Sequence, residues 1–129
     1  LCLDRIARSF PKLNIVMAHM GTSIYRHEAA ELLRMHPNLY FDLAGSGSWM
    51  TVSPEELVSL LKPLIPLLDT EFKNYRRLIF GSDAYMTHPH LVGEAAKWYE
   101  MICAKTGLPQ DIVNDIMGNT AAAFMGIKL

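Results

Sequence analysis

The chain has 129 residues, half of them hydrophobic, and a formal charge of −1, which describes one soluble globular unit with side chains enough for a core and excludes intrinsic disorder. Twelve basic residues against thirteen acidic ones, with no basic block, leave no electrostatic footprint for nucleic acid or for an anionic membrane surface. The most apolar stretch, Leu57 to Leu68, is broken by Lys62, Pro63 and Pro66 and is too short for a bilayer, and no signal peptide opens the chain.

Leu3, Ile6, Ala7 and Phe10 fall at helical spacing as far as Pro11, which disfavours a helical conformation in the residue before it. Asn14 to His19 is a short apolar run that closes on a polar residue and then Gly21, the pattern of a strand buried on both faces. Ala29, Ala30, Leu32, Leu33 and Met35 predict a helix over residues 25–35, stopped by His36-Pro37-Asn38. Leu39 to Leu43 reads as a second strand, closed by a flexible Ala44-Gly45-Ser46-Gly47-Ser48 loop. Ser53 as N-cap, Pro54 at the first helical position and Glu56 completing a capping box start the next helix. Pro63 and Pro66 should kink or divide the apolar segment after that start. Arg77 to Phe80 is the third strand, succeeded at once by Gly81-Ser82-Asp83. Helical spacing resumes from Leu91 to Ile102 and from Pro109 to Met117, and Gly118-Asn119-Thr120 divides this from a last helix, Ala121 to Met125. Short buried-type strands alternating with helices make parallel βαβ units, so the expectation is an α/β chain forming a single domain over residues 1–129.

In such folds ligands collect at the carboxyl ends of the strands, which puts His19, Asp42 and Asp83 on one face. Asp83 reads two ways: it comes after a glycine that lets the backbone turn sharply toward a ligand, where a carboxylate can hold a divalent ion, or it caps the next helix. His19 is equally open between a metal ligand or general base and a hydrogen-bonded strand-end residue. Asp42 lies inside its strand, where a buried carboxylate fixed by backbone donors is the better reading. His88-Pro89-His90 has the letters of a metal-binding pair, but Pro89 and the helix beyond it favour a helix start. His27 and His36, on or at the end of a polar-faced helix, read as solvated or capping residues. The eight methionines are most simply core and pocket filler. Cys2 and Cys103 match no metal or redox spacing, which fits reduced thiols in a cytoplasmic protein.

Three segments together, Phe10 to Gly21, His36 to Asp42 and Leu78 to Asp83, resemble the amidohydrolase-2 family, the group related to aminocarboxymuconate semialdehyde decarboxylase. The tail Ile116 to Gly126 is similar to that family's final helix. The resemblance implies that the three strands are the sixth to eighth of a TIM-like (β/α)8 barrel, so that this chain is the C-terminal portion of one. It implies that Asp83, ending the eighth strand, ligates a divalent ion, zinc or else manganese, and relays a proton. His19, ending the sixth, would approach the substrate and the ion and serve as a site and metal residue. Thr22 stands where the family often has a second glycine, and the family's first-strand His-x-His and fifth-strand histidine have no counterpart here.

A closed (β/α)8 barrel takes about 250 residues, and three strands cannot cover both edges of their own sheet. Leu1 in place of a starting methionine points to sequence upstream. The chain therefore reads as a fragment, inactive by itself and covering its edges through a homo-oligomer. The parent is expected to be a metal-dependent hydrolase of a small carboxylated or cyclic substrate, with nonoxidative decarboxylation as the alternative. A reading of another class is a non-catalytic, flavodoxin-like ligand- or partner-binding domain. Against it stand the lack of a glycine-rich phosphate loop after the first strand and of an acidic cluster around Asp83.

Overall fold

The computed structural model describes residues 2–45, 55 and 74–128. The predicted Ser53 helix start, the Pro63 and Pro66 breaks and the Ser46 to Ser48 part of the loop lie outside the described residues, although Glu55 is helical. In chain order the elements are α1 (Cys2–Ser9), β1 (Ile15–Met17), α2 (Thr22–Met35), β2 (Leu39–Asp42), β3 (Leu78–Ile79), α3 (His90–Thr106), α4 (Gln110–Asn114) and α5 (Thr120–Phe124). Short 3-10 turns, Ala18–Gly21 and Tyr75–Arg77, sit after β1 and before β3. Among the described residues no helix is long and apolar enough to cross a membrane.

The strands form a parallel sheet in the order β1-β2-β3, with Met17 paired to Phe41 and Asp42 to Ile79. This register sets the carboxyl ends of all three strands level, which is what brings residues 19, 42 and 83 to one face. Leu39, Phe41 and Leu43 alternate into a core shared with Ala29, Ala30 and Leu33 of α2, Tyr99 and Ile102 of α3, and Ile112 and Ile116. Tyr40 lies on the other face of β2, edge-on to Phe124 of α5 at 5.2 Å between ring centroids. The parallel α/β expectation therefore holds.

Several local expectations are corrected. β1 is not buried on both faces: Val16 is 38% exposed, so the face that carries it is open. It also ends at Met17, before His19, since the backbone turns left-handed there. β3 is confined to Leu78–Ile79, and Phe80 bonds instead to the chain's tail, its N–H donating to the Ile116 carbonyl at 2.8 Å. Gly118-Asn119-Thr120 does not divide two helices. Residues Asp115–Asn119 form one wide π turn that carries α4 into α5, and the carbonyl this turn frees is the one that pins the end of β3.

Of the two readings of His36 the capping one holds, since it is the C-cap of α2 with its N–H on the Leu32 carbonyl, but its side chain is buried rather than solvated and its Nε2–H donates to Asp4 Oδ1 at 2.8 Å. Beside it, the Asn38 amide donates to the Ala7, Phe10 and Leu13 carbonyls at 3.0 to 3.2 Å, satisfying the end of α1 and the chain after it. The Arg77 guanidinium donates to the carbonyls of Leu33, His36 and Leu39 and to Asn74 Oδ1, tying the end of α2 and the start of β2 to the approach to β3.

The His36 hydrogen bond, with a second from Arg8, holds the Asp4 carboxyl below its ordinary value of 3.8. A carboxylate whose folded pKa is lowered stabilises the fold fully above the unfolded value and loses that contribution as pH falls through the folded one. Asp4→Ala is therefore expected to lower the urea midpoint near neutral pH, with the gap to the unaltered chain closing as pH drops below 3.8; a gap independent of pH would contradict the pairing.

Candidate functional site

The site forms where three strand exits converge. After β1 the chain makes a left-handed turn: His19 (φ 57, ψ 24), Met20 (φ 50, ψ 35) and Gly21 (φ 71, ψ 14) succeed one another in that conformation. Only Gly21 adopts it freely; for His19 and Met20 together it costs about 2 to 4 kcal/mol. Two features offset this. Met20 is completely buried in the core, worth about 1.5 to 3 kcal/mol. The His19 N–H donates to Asp42 Oδ1 at 2.9 Å, and a hydrogen bond to a charged group contributes about 1.5 to 3 kcal/mol. A strained backbone held by its surroundings in this way is characteristic of functional positions.

After β2, Asp42 Oδ1 also accepts the Ala44 N–H at 3.1 Å. The backbone donors expected for this carboxylate are thus present, although the side chain is a quarter exposed rather than buried. The Ala44 carbonyl faces His19 Nδ1 in a short hydrogen bond. Below it the buried Tyr99 hydroxyl of α3 donates to the Leu43 carbonyl at 2.5 Å. Gly45 comes next with φ 59, and a Cβ placed on it would stand 2.9 Å from His19 Nδ1 and 3.1 Å from Asp83 Oδ2. The two side chains singled out from the sequence therefore both come up against residue 45, where a glycine leaves them room.

After β3, glycine plays a different part from the one expected. Gly81 has no left-handed φ; instead, a Cβ there would come within 2.8 Å of the Ala44 Cβ. Its role is to let the β2 loop approach. The sharp turn falls on Asp83 itself, with φ 53, after Ser82 Oγ has accepted the Ala84 N–H at 3.2 Å. Asp83 does not cap the next helix, because α3 begins only at His90, with Pro89 at its N-cap. Asp83 is exposed, and the His19 side chain is 42% exposed, so both are open to a ligand from the strand-end side.

His88 and His90 stay at the start of α3, their rings edge-on at 5.9 Å, and His88 Nδ1 lies 2.9 Å from Thr87 Oγ1. His27 is exposed. Among the described residues no three His, Cys, Asp or Glu side chains gather to hold a metal ion. What the site offers is one imidazole and one carboxylate, donor types that zinc takes. Cys103 contributes nothing here: it is buried in α3, and burial pushes its thiol up to about 11.

The residues that sequence reasoning missed are Ala44 and Gly45, which read only as flexible loop. Their signal is an Ala-Gly pair directly after an apolar strand, which gives no hint of what passes on either side.

A family model described as amidohydrolase matches residues 1–127 of the chain. No curated protein matches it.

Gly107, at the end of α3, also has a left-handed φ of 81, but nothing lies within 4 Å of a Cβ there. Gly107→Ala should thus cost only the backbone penalty, about 1 to 2 kcal/mol. Gly45→Ala should cost more by urea denaturation, since it also crowds the His19 ring, while the exposed Asp83 carboxylate can give way. Equal losses would mean that the His19 ring moves aside without cost.

Proposed function

The chain belongs to the amidohydrolase family, a family of metal-dependent hydrolases, and we propose that it supplies His19 and Asp83 to the active site of a hydrolase acting on a small carboxylated or cyclic substrate. In this reading β1, β2 and β3 are the sixth to eighth strands of the barrel, as in the group related to aminocarboxymuconate semialdehyde decarboxylase. The observation that carries it is the convergence of His19 and Asp83 on Gly45 at the carboxyl ends of parallel strands, the place where such folds bind and transform ligands.

The Asp83 carboxylate would hold a divalent ion, zinc or manganese, with His19 beside it. When bound, such an ion acidifies water and polarises a carbonyl. Asp83 takes a proton from the attacking water on a carboxylate oxygen and returns it to the leaving group, a role suited to its open position at the strand end. His19, close by, accepts a hydrogen bond from the attacking water on its free ring nitrogen and so orients it for that transfer. The left-handed turns at 19 and 83 aim both side chains while β1 and β3 stay in the sheet.

The natural protein carrying this sequence, loaded with zinc or manganese and given cyclic amides, lactones and carboxylated rings, is expected to yield ring-opened or amide-cleaved products. Asp83→Ala and His19→Ala should each lower kcat by about 10²- to 10⁴-fold, and Asp83→Ala should also reduce bound metal on elemental analysis. Release of carbon dioxide in place of hydrolysis would move the assignment to a nonoxidative decarboxylase of the same family. Full activity in both variants would sink the assignment of these residues.

A further inference from the structure

Asp42 has the surroundings of a structural carboxylate, yet its two hydrogen bonds join the exits of two different strands. Its Oδ1 accepts the N–H of His19, after β1, and the N–H of Ala44, after β2, at 2.9 and 3.1 Å. Drawn together in this way, the two exits meet a second time, His19 Nδ1 against the Ala44 carbonyl oxygen. A carbonyl oxygen only accepts hydrogen bonds, so a neutral imidazole bonded to it carries its proton on Nδ1 and has its lone pair on Nε2.

We propose that Asp42 is a positioning residue which, through the His19 and Ala44 backbones, locks His19 in the Nδ1–H tautomer and presents Nε2 as the working nitrogen. The proposal deepens the amidohydrolase reading and rests on it for the use made of Nε2. Three observations support it. Asp42 Oδ1 is 3.8 Å from Nδ1, too far for a hydrogen bond but near enough for its charge to favour a proton on that nitrogen. Tyr99 steadies the residue between Asp42 and Ala44 by bonding the Leu43 carbonyl. Gly45, whose missing side chain leaves the space that Nδ1 and Cε1 of the ring occupy, lets the imidazole settle against the Ala44 carbonyl. Asp42 thus governs which nitrogen is available without touching the ring, and an imidazole whose far nitrogen is held by a carbonyl is the usual arrangement for metal-facing histidines.

The tautomer is read directly from long-range proton–nitrogen correlation spectra of the chain, at a pH well above the ordinary histidine value of about 6.5. The expected result is a single Nδ1–H form for His19. In Asp42→Ala the ratio should move toward Nε2–H by about fivefold, the equivalent of one ordinary hydrogen bond. Asp42→Asn, whose amide oxygen can accept the same two N–H groups, should restore the Nδ1–H form. Should Asp42→Ala fail to fold, Asp42→Ser, one bond too short to reach both donors, takes its place with the same expected shift. An Nε2–H form in the unaltered chain, or an undisturbed Nδ1–H form in the folded Ala or Ser variant, overturns the proposal. Because the spectra need neither metal nor substrate, failure of hydrolysis with the tautomer locked would sink the functional reading alone, and a mixed tautomer in an active hydrolase would sink the lock alone.

Discussion

The backbone at residue 45 is where the site closes. Parallel pairing brings the ends of β1, β2 and β3 level, and the exits of the outer two then carry His19 and Asp83 toward the middle. The loop from the central strand comes up against both. It does so without a side chain, and a Cβ on residue 45 would crowd the His19 ring and press on the Asp83 carboxylate. Gly81 makes the same concession from the other direction, leaving room for the Ala44 methyl. Two glycines on neighbouring exits therefore set how closely the site can assemble, one through left-handed φ and close approach together, the other through close approach alone.

A site built this way stores strain above a frame that can bear it. His19, Met20 and Asp83 all have a positive φ, and each comes after a strand whose register leaves it little freedom. The left-handed turn after β1 is anchored at one end by a core methionine and at the other by the Asp42 carboxylate. Beneath it, the Arg77 guanidinium gathers carbonyls from α2 and β2, and Asn38 gathers those at the end of α1. Rigid support under a few strained residues holds side chains within the narrow geometry that chemistry requires.

The tail of the chain takes part in the same frame. An ordinary α-helix keeps its carbonyls for its own N–H groups, but the wide turn at Asp115–Asn119 releases that of Ile116 to the Phe80 N–H. The Thr120 hydroxyl donates to the Arg76 carbonyl just before β3, while the Arg76 guanidinium pairs with Asp111 and Asp115. A two-residue strand is thus braced at both ends by one helical segment. That gives a physical reason for the tail motif to accompany the Gly81-Ser82-Asp83 motif: it holds in place the strand that delivers Asp83.

Apolar periodicity and turn chemistry are local properties, and from them alone come the α/β class, the order of strands and helices, and the strand-end placement of His19 and Asp83. The reading of Asp42 as a carboxylate held by backbone donors has the same origin. Local reasoning placed His36 at its helix end but could not show its burial against Asp4, 32 residues away, and it misjudged the Gly118-Asn119-Thr120 break, which core packing of Ile112, Ile116 and Ala122 keeps helical despite weak local propensity. Tertiary packing was needed to bring the Ala44-Gly45 turn up against His19 and Asp83, to make Gly81 the residue that admits Ala44, and to put a histidine, a methionine and an aspartate in left-handed backbone. Each depends on atoms contributed by a neighbouring strand exit, and a contact between segments more than twenty residues apart leaves no trace in the local pattern of either.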